Sequence, residues 1–291
     1  MPVRLIALDI DGTLLDEHSH LPAANRDAVA EASVRGIEIA LVTGRRYDFA
    51  IPIAREFPCP LTMIVNNGAL VKSSSGETQL VKLLPVKVAA QVLDETANYR
   101  EMASVCFNRP RENQVIYEHI DYEDPLRGAY FVRNREYLGE MIPLRDCLTE
   151  DPIQVMFTGY ANQAREVETF LSCLPMASEY SVAMTVYEKR DFGLVDVIAR
   201  GCSKGSTLAE WVRRRGFEHE DVLAIGDNLN DMEMLQYAGL PVVMGNSVPE
   251  LKTMGWHETL TNDQCGVAAA IERFALAGNA VLETPDWKCA K

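Results

Sequence analysis

Two aspartates stand one residue apart in Asp9-Ile10-Asp11-Gly12-Thr13, directly after the apolar run Leu5 to Leu8. In an extended segment alternate side chains share a face, so both carboxylates can converge on one volume. Carboxylates held that close repel, and a divalent cation or a shared proton must offset the repulsion. A turn built on Asp-Gly would use the same residues for shape alone. A second acidic group, Gly226-Asp227-Asn228-Leu229-Asn230-Asp231, follows the apolar run Val222 to Ile225 and opens a helix-like stretch. Asp227 offers another hard oxygen of the kind Mg²⁺ accepts beside waters and a substrate phosphate. Asn230 or Asp231 also suits a helix cap, but capping leaves the Gly-Asp pair before them unexplained.

Two further segments offer phosphate contacts. Thr43-Gly44-Arg45 ends the run Ile37 to Val42 with a hydroxyl and backbone N–H groups. Lys204-Gly205 stands at a helix start, where the helix dipole disfavours a cation, so a lysine there implies an anion beside it. A solvated lysine or a plain turn would account for either segment taken singly. Gly201-Cys202-Ser203-Lys204-Gly205 also fits G-x-S-x-G, the nucleophile elbow of serine hydrolases, with Asp227 and His257 following in the required order. That reading leaves Asp9, Asp11 and Thr43 without a role and finds no His-Gly-Gly segment for an oxyanion hole. Neither GxxxxGK[ST] nor HExxH occurs, which argues against P-loop and zinc-peptidase chemistry.

The elements that must position these residues are short buried strands. Besides the runs above, Leu61 to Val65 precedes Asn66, and Pro241 to Met244 precedes Gly245-Asn246. Helix-like stretches lie between them: Pro22 to Arg35 closed by Gly36, Lys204 to Arg215 closed by Gly216, and Asp231 to Ala238 closed by Gly239. Alternating strand and helix implies an α/β fold, a doubly wound parallel sheet whose ligands bind beyond the carboxyl ends of its strands. The middle of the chain breaks this rhythm. Asn66-Asn67-Gly68 opens a hairpin-like segment through Ser73 to Gly76, and Val115 to Tyr117, Gln154 to Phe157 and Ala183 to Tyr187 read as strands around a helix at Asn162 to Ser172. The expected organisation is a core in two parts, 1–83 and 197–291, interrupted by an inserted α+β domain at 84–196. The last dozen residues read as a loose tail.

The chain has 291 residues, 47% hydrophobic and 24% charged, the balance of an ordinary globular protein. Lys and Arg number 28 against 42 Asp and Glu, and the net charge of −14 repels nucleic-acid phosphates and anionic membrane surfaces. No apolar stretch approaches the roughly 20 residues of a membrane span, and no signal-peptide pattern opens the chain. Seven cysteines, widely spaced and without a CxxC, read as reduced thiols. Together these features point to the cytoplasm, with neither nucleic acid nor membrane as partner.

Taken in order, the four segments resemble the haloacid dehalogenase (HAD) superfamily of phosphatases, in particular its Cof-type, sugar-phosphatase-like branch. The resemblance runs through Leu5 to Leu15, Leu41 to Arg45, Asn66 to Ala69, Asp196 to Gly205 and Ala224 to Gly245. It implies a Rossmann-like core with a large α/β cap and Mg²⁺-dependent hydrolysis of small phosphomonoesters, sugar phosphates or phosphorylated cofactors, through an aspartyl-phosphate. Asp9 would be the nucleophile, and Asp11 would protonate the leaving oxygen and then deprotonate the attacking water. Mg²⁺ would sit among the Asp9 carboxylate, the Asp11 backbone carbonyl and Asp227. Ile10, Thr43, Gly44, Lys204 and Asn230 would surround the phosphoryl oxygens. Arg45, Asn67, Tyr187, Lys189 and Arg190 are the substrate-contact candidates, with Arg109, Arg111 and His119 beside them. A phosphomutase or a non-catalytic phosphate binder would share these motifs, although binding alone needs no second acid at Asp11.

Overall fold

The computed structural model describes residues 2–277, with Lys189 described by its backbone only. The expected tail, with Trp287 and Cys289, lies outside the described residues. In chain order the first segment forms β1 (Leu5–Leu8), α1 (Ala23–Val34), β2 (Glu38–Val42), α2 (Tyr47–Ala54), β3 (Thr62–Val65), β4 (Leu70–Ser73) and β5 (Thr78–Val81). Next come α3 (Val86–Glu95), β6 (Ala103–Cys106), β7 (Val115–Tyr117), α4 (Gly128–Arg133), β8 (Leu138–Glu140), β9 (Gln154–Gly159), α5 (Ala161–Cys173), β10 (Tyr180–Tyr187) and β11 (Phe192–Ala199). The last segment holds α6 (Lys204–Arg214), β12 (Val222–Gly226), α7 (Met232–Tyr237), β13 (Leu240–Val243), α8 (Pro249–Lys252), β14 (His257–Glu258) and α9 (Gly266–Ile271).

Two compact units result, Met1–Val81 with Ser203–Lys291, and Lys82–Cys202. The first is built on a sheet ordered β14-β13-β12-β1-β2-β3-β4-β5. Strands β14 through β3 run parallel, and β4 and β5 add an antiparallel hairpin at one edge. The parallel strands read as continuous apolar runs because helices bury both faces; all four residues of β1 are buried. Chain order reverses at β1, with β2 and β3 on one side and β12 to β14 on the other. In a doubly wound sheet that reversal opens the crevice where ligands bind. Leu8 pairs with both Ile225 and Leu41, so the register brings the residues that follow β1, β2 and β12 onto one rim. Beneath that rim Leu5, Ala7, Ala40, Val42, Ile64 and Ala224 pack against Leu208, Trp211 and Val212 of α6.

The second unit is a sheet ordered β10-β11-β9-β6-β7-β8, antiparallel except where β8 joins β7. Val105, Val155, Phe157, Val195 and Val197 cover one face and bury Val88 and Val92 of α3 and Ala164, Val167 and Leu171 of α5. The expected boundary at 196/197 falls inside β11, whose residues Gly193 to Ile198 pair with β9 on one side and β10 on the other. A strand hydrogen-bonded on both edges stays with its sheet, so the chain leaves this unit only after β11. Cys59, Cys106, Cys147, Cys173 and Cys202 are free thiols, as expected.

Candidate active site

Asp9 leaves β1 still extended, at φ −70° and ψ 162°. The chain then turns through Ile10–Leu14, closed by the Leu15 N–H on the Ile10 carbonyl at 3.1 Å and broken at Asp11 and Gly12. Gly12 has φ +80°, and a Cβ there would lie 2.3 Å from Asp227 Oδ2, so this position takes glycine for both its backbone and its space. Three carboxamides hold the turn from outside. Asn246 Nδ2 donates to the Gly12 carbonyl at 2.7 Å, Asn25 Nδ2 to Leu14 at 3.0 Å and Asn262 Nδ2 to Leu15 at 3.0 Å.

The anion that the sequence implied beside Lys204 is a pair of carboxylates. Lys204, the first residue of α6 and 1% exposed, donates from Nζ to Asp9 Oδ1 at 2.5 Å and to Asp231 Oδ1 at 2.7 Å. Asp231 Oδ2 accepts the backbone N–H groups of Asp227 at 3.0 Å and Asn228 at 3.1 Å, which fixes the turn after β12. Asp227 Oδ1 accepts from Thr13 Oγ1 at 2.8 Å. Sequence reasoning left Asp231 as a helix cap, because capping and charge pairing leave the same residue type at a helix start. Its complete burial marks the larger role.

Carboxylate oxygens of Asp9, Asp227 and Asp231 lie within 4.8 Å of one another. Burial, then Asp231, push the Asp9 carboxyl up to about 7, and burial, then Asp9, raise Asp227 well above the usual carboxylate range. Burial opposes the charge of Lys204, but Asp231 and Asp9 more than offset it and its pKa is raised. One buried cation among three buried carboxylates leaves an excess of negative charge, and isolating charge from water costs several kcal/mol per ion. Both oxygens of Asp231 are engaged, whereas Asp9 Oδ2 and Asp227 Oδ2 have no hydrogen-bond partner among the described residues. Unclaimed hard oxygens in an over-charged buried cluster fit a divalent cation. Asp11 contributes no carboxylate to this cluster; its side chain turns to Arg45.

The second part of the rim follows β2 and β3. Buried Thr43 accepts the Arg45 N–H on its Oγ1 at 3.1 Å. Asn67, at φ +51°, accepts from Asn230 Nδ2 at 3.0 Å. A Cβ on Gly44 would come within 3.1 Å of the same Asn67 oxygen, so Gly44, Asn67 and Asn230 form one polar group. Ile10 is fully buried.

The remaining substrate candidates belong to the second unit. Tyr187 stacks on Phe192, Arg109 pairs with Glu150 at 2.6 Å, and Arg111 pairs with Glu136 at 3.3 Å. His119 is exposed, Arg190 ends the turn Glu188–Arg190, and the side chain of Lys189 lies outside the described residues. A polar row missed in the sequence occupies the sheet face opposite α3 and α5: Ser104, Gln154, Thr158, Thr185 and Asp196, all buried. Its signal is Gln154 and Thr158 on the face of β9 opposite Val155 and Phe157. The elbow reading of Ser203 fails on geometry, since its hydroxyl caps α6 by accepting the Ser206 N–H at 3.0 Å and donates to Glu233. His257 instead packs against Phe274, the two rings tilted by 37°.

Comparison with known proteins agrees with this geometry. A haloacid dehalogenase-like hydrolase model matches residues 6–271. The chain is 28% identical to an HMP-PP phosphatase of Serratia proteamaculans, covering 86% of this chain and 87% of that one. It is 27% identical to pyridoxal phosphate phosphatase YbhA of Escherichia coli, covering 87% and 91%. The crystal structure of a haloacid dehalogenase-like hydrolase from Bacteroides thetaiotaomicron superposes with a TM-score of 0.74 at 26% identity, over 93% of this chain and 99% of that one. A Rossmann-like sheet with a buried acidic triad where its strand order reverses, and a family match from β1 to α9, together make this chain a member of the haloacid dehalogenase-like hydrolases.

Proposed function

We propose that this enzyme is a Mg²⁺-dependent phosphatase of small phosphomonoesters working through an aspartyl-phosphate on Asp9. One observation carries the reading: Asp9, buried at the end of β1, gives one oxygen to Lys204 and keeps the other unclaimed beside Asp227. A carboxylate serving only the fold would have both oxygens engaged, as Asp231 has. In the first step an Asp9 oxygen bonds to phosphorus as the ester P–O bond breaks, and Asp11 gives a proton to the departing oxygen. In the second, water bonds to phosphorus, Asp11 takes its proton, and the Asp9–phosphorus bond breaks. Lys204, Thr43 and Asn230, with the backbone of Ile10 and Gly44, orient the phosphoryl oxygens and offset their charge, which is most of what phosphoryl transfer requires. Asp9, Asp227 and the Asp11 carbonyl would hold Mg²⁺, which when bound supplies positive charge to those oxygens.

The relatives named for HMP-PP and pyridoxal phosphate support phosphorylated cofactors beside sugar phosphates as candidates. The test is release of p-nitrophenol from p-nitrophenyl phosphate, with Mg²⁺ and after chelation, followed by a phosphate-release screen of phosphorylated metabolites. Mg²⁺-dependent turnover lost in Asp9→Asn is expected. Absence of release across metals and pH would leave a phosphate-binding protein instead.

A further inference from the structure

Arg45 makes a two-point contact with Asp11. Its Nε donates to Oδ2 at 2.7 Å and its Nη2 to Oδ1 at 2.6 Å, with both side chains about a quarter exposed. A guanidinium fork of this kind fixes the plane of a carboxylate, which a lysine cannot do. Arg45 is itself anchored: its N–H is on Thr43 Oγ1 at 3.1 Å, its carbonyl accepts the Asn66 N–H at 2.9 Å, and Nη1 reaches the Phe49 carbonyl in α2 at 3.4 Å. Asp11 has no comparable support from its own backbone. It sits at φ −84° and ψ 118°, outside the helical values of the turn that carries it and next to Gly12.

We infer that Arg45 is a positioning residue for the proton step, holding the Asp11 carboxyl group in the one plane from which a proton carried on the edge turned away from Arg45 reaches the leaving oxygen. The inference rests on the reading of Asp11 as the acid. In that step the Asp11 O–H bond breaks and its proton joins the ester oxygen, which keeps the electron pair of the breaking P–O bond while Asp9 bonds to phosphorus. Protonation matters in proportion to the basicity of the leaving oxygen. A sugar alkoxide needs the proton, whereas p-nitrophenolate departs with little help.

Leaving-group dependence therefore separates positioning from binding or folding. The measured quantity is the ratio of kcat/KM on an alkyl phosphate, such as a hexose 6-phosphate, to kcat/KM on p-nitrophenyl phosphate. In Arg45→Ala this ratio should fall about tenfold, a part of the roughly 10²–10⁴-fold that a positioned acid or base supplies in full. Arg45→Lys keeps the charge but not the fork and should show the same fall; restoration of the ratio by lysine would overturn the inference. An equal loss on both substrates, or a rise in KM alone, would make Arg45 a binding or structural residue. If Arg45→Ala does not fold by circular dichroism, Arg45→Lys and Arg45→Gln carry the comparison. Asp11→Asn should lower the ratio at least as far, and the double variant no further; an additive fall would again overturn the coupling. Should Asp11→Asn leave the ratio unchanged in an enzyme that still hydrolyses both esters, the acid assignment falls and the inference with it. With Asp11 sensitive and Arg45 insensitive, only the inference falls.

Discussion

Lys204 illustrates how one side chain would serve both the fold and the proposed chemistry. Fully buried, it faces Asp9 and Asp231, and their charges sustain its own despite the loss of water. Lys204→Met keeps the length and apolar stem but leaves two buried carboxylates facing each other. Breaking a buried ion pair by removing one partner costs about 3–5 kcal/mol, so urea unfolding should report a loss of that order together with loss of phosphatase turnover. Asp9→Asn acts in the opposite direction. It removes the proposed nucleophile and also a charge that burial, Asp231 and Asp11 all disfavour. Turnover should vanish while the melting temperature of the metal-free protein holds or rises, since strained active sites trade stability for function. A marked drop in melting temperature would show that Asp9 serves mainly the fold.

At the level of elements, the turn after β1 is a tightly constrained piece of backbone in the site. Gly12 and Gly36 share a left-handed φ, +80° and +85°, but a Cβ on Gly12 would meet Asp227 whereas a Cβ on Gly36 would point into open space. Gly36→Ala should therefore cost only the backbone strain, about 1–2 kcal/mol. Gly12→Ala should cost that and also displace Asp227, weakening Mg²⁺ binding measured by calorimetry while Gly36→Ala leaves it alone. Equal metal affinity in both variants would separate Asp227 from the cation. The strands that end at this rim were legible because a parallel strand buried on both faces is a continuous apolar run, and glycines mark the helix ends after α1, α6 and α7. Less was legible where long-range pairing decides. Strand β11 extends past the expected boundary because β9 and β10 hold it, and α2 forms with Pro52 inside it. The site divides the same way: Asp9, Thr43 and Asp227 are named by their places at strand ends, and Lys204 by its place at a helix start. The partner of Asp11 and the second role of Asp231 depend on how β2 and β12 align with β1, which no local pattern states.

For the whole molecule, charge and metal binding should be linked through pH. The Asp9 carboxyl is raised from 3.8 to about 7 in the folded protein, and Asp227 is raised as well. Between those limits the folded state without metal binds more protons than the unfolded chain, so stability falls as pH rises through the window and levels off above it. Mg²⁺ on the proposed reading would act oppositely: binding the folded, ionised cluster, it would stabilise by mass action and compete with the protons. The net charge of −14 adds general repulsion as carboxylates ionise, but most exposed carboxylates have finished titrating by about pH 5. Moderate salt also screens them far more than it screens a buried cluster. Melting curves in chelator and moderate salt should therefore decline from about pH 5 to about pH 7.5. Excess Mg²⁺ should flatten or reverse that slope, stabilising more at the alkaline end than at the acid end, and Asp9→Asn should shrink the slope in chelator. A metal-free protein whose stability is flat across this range, or an equal Mg²⁺ effect at both ends, would mean that the buried acidic cluster is not where the cation binds.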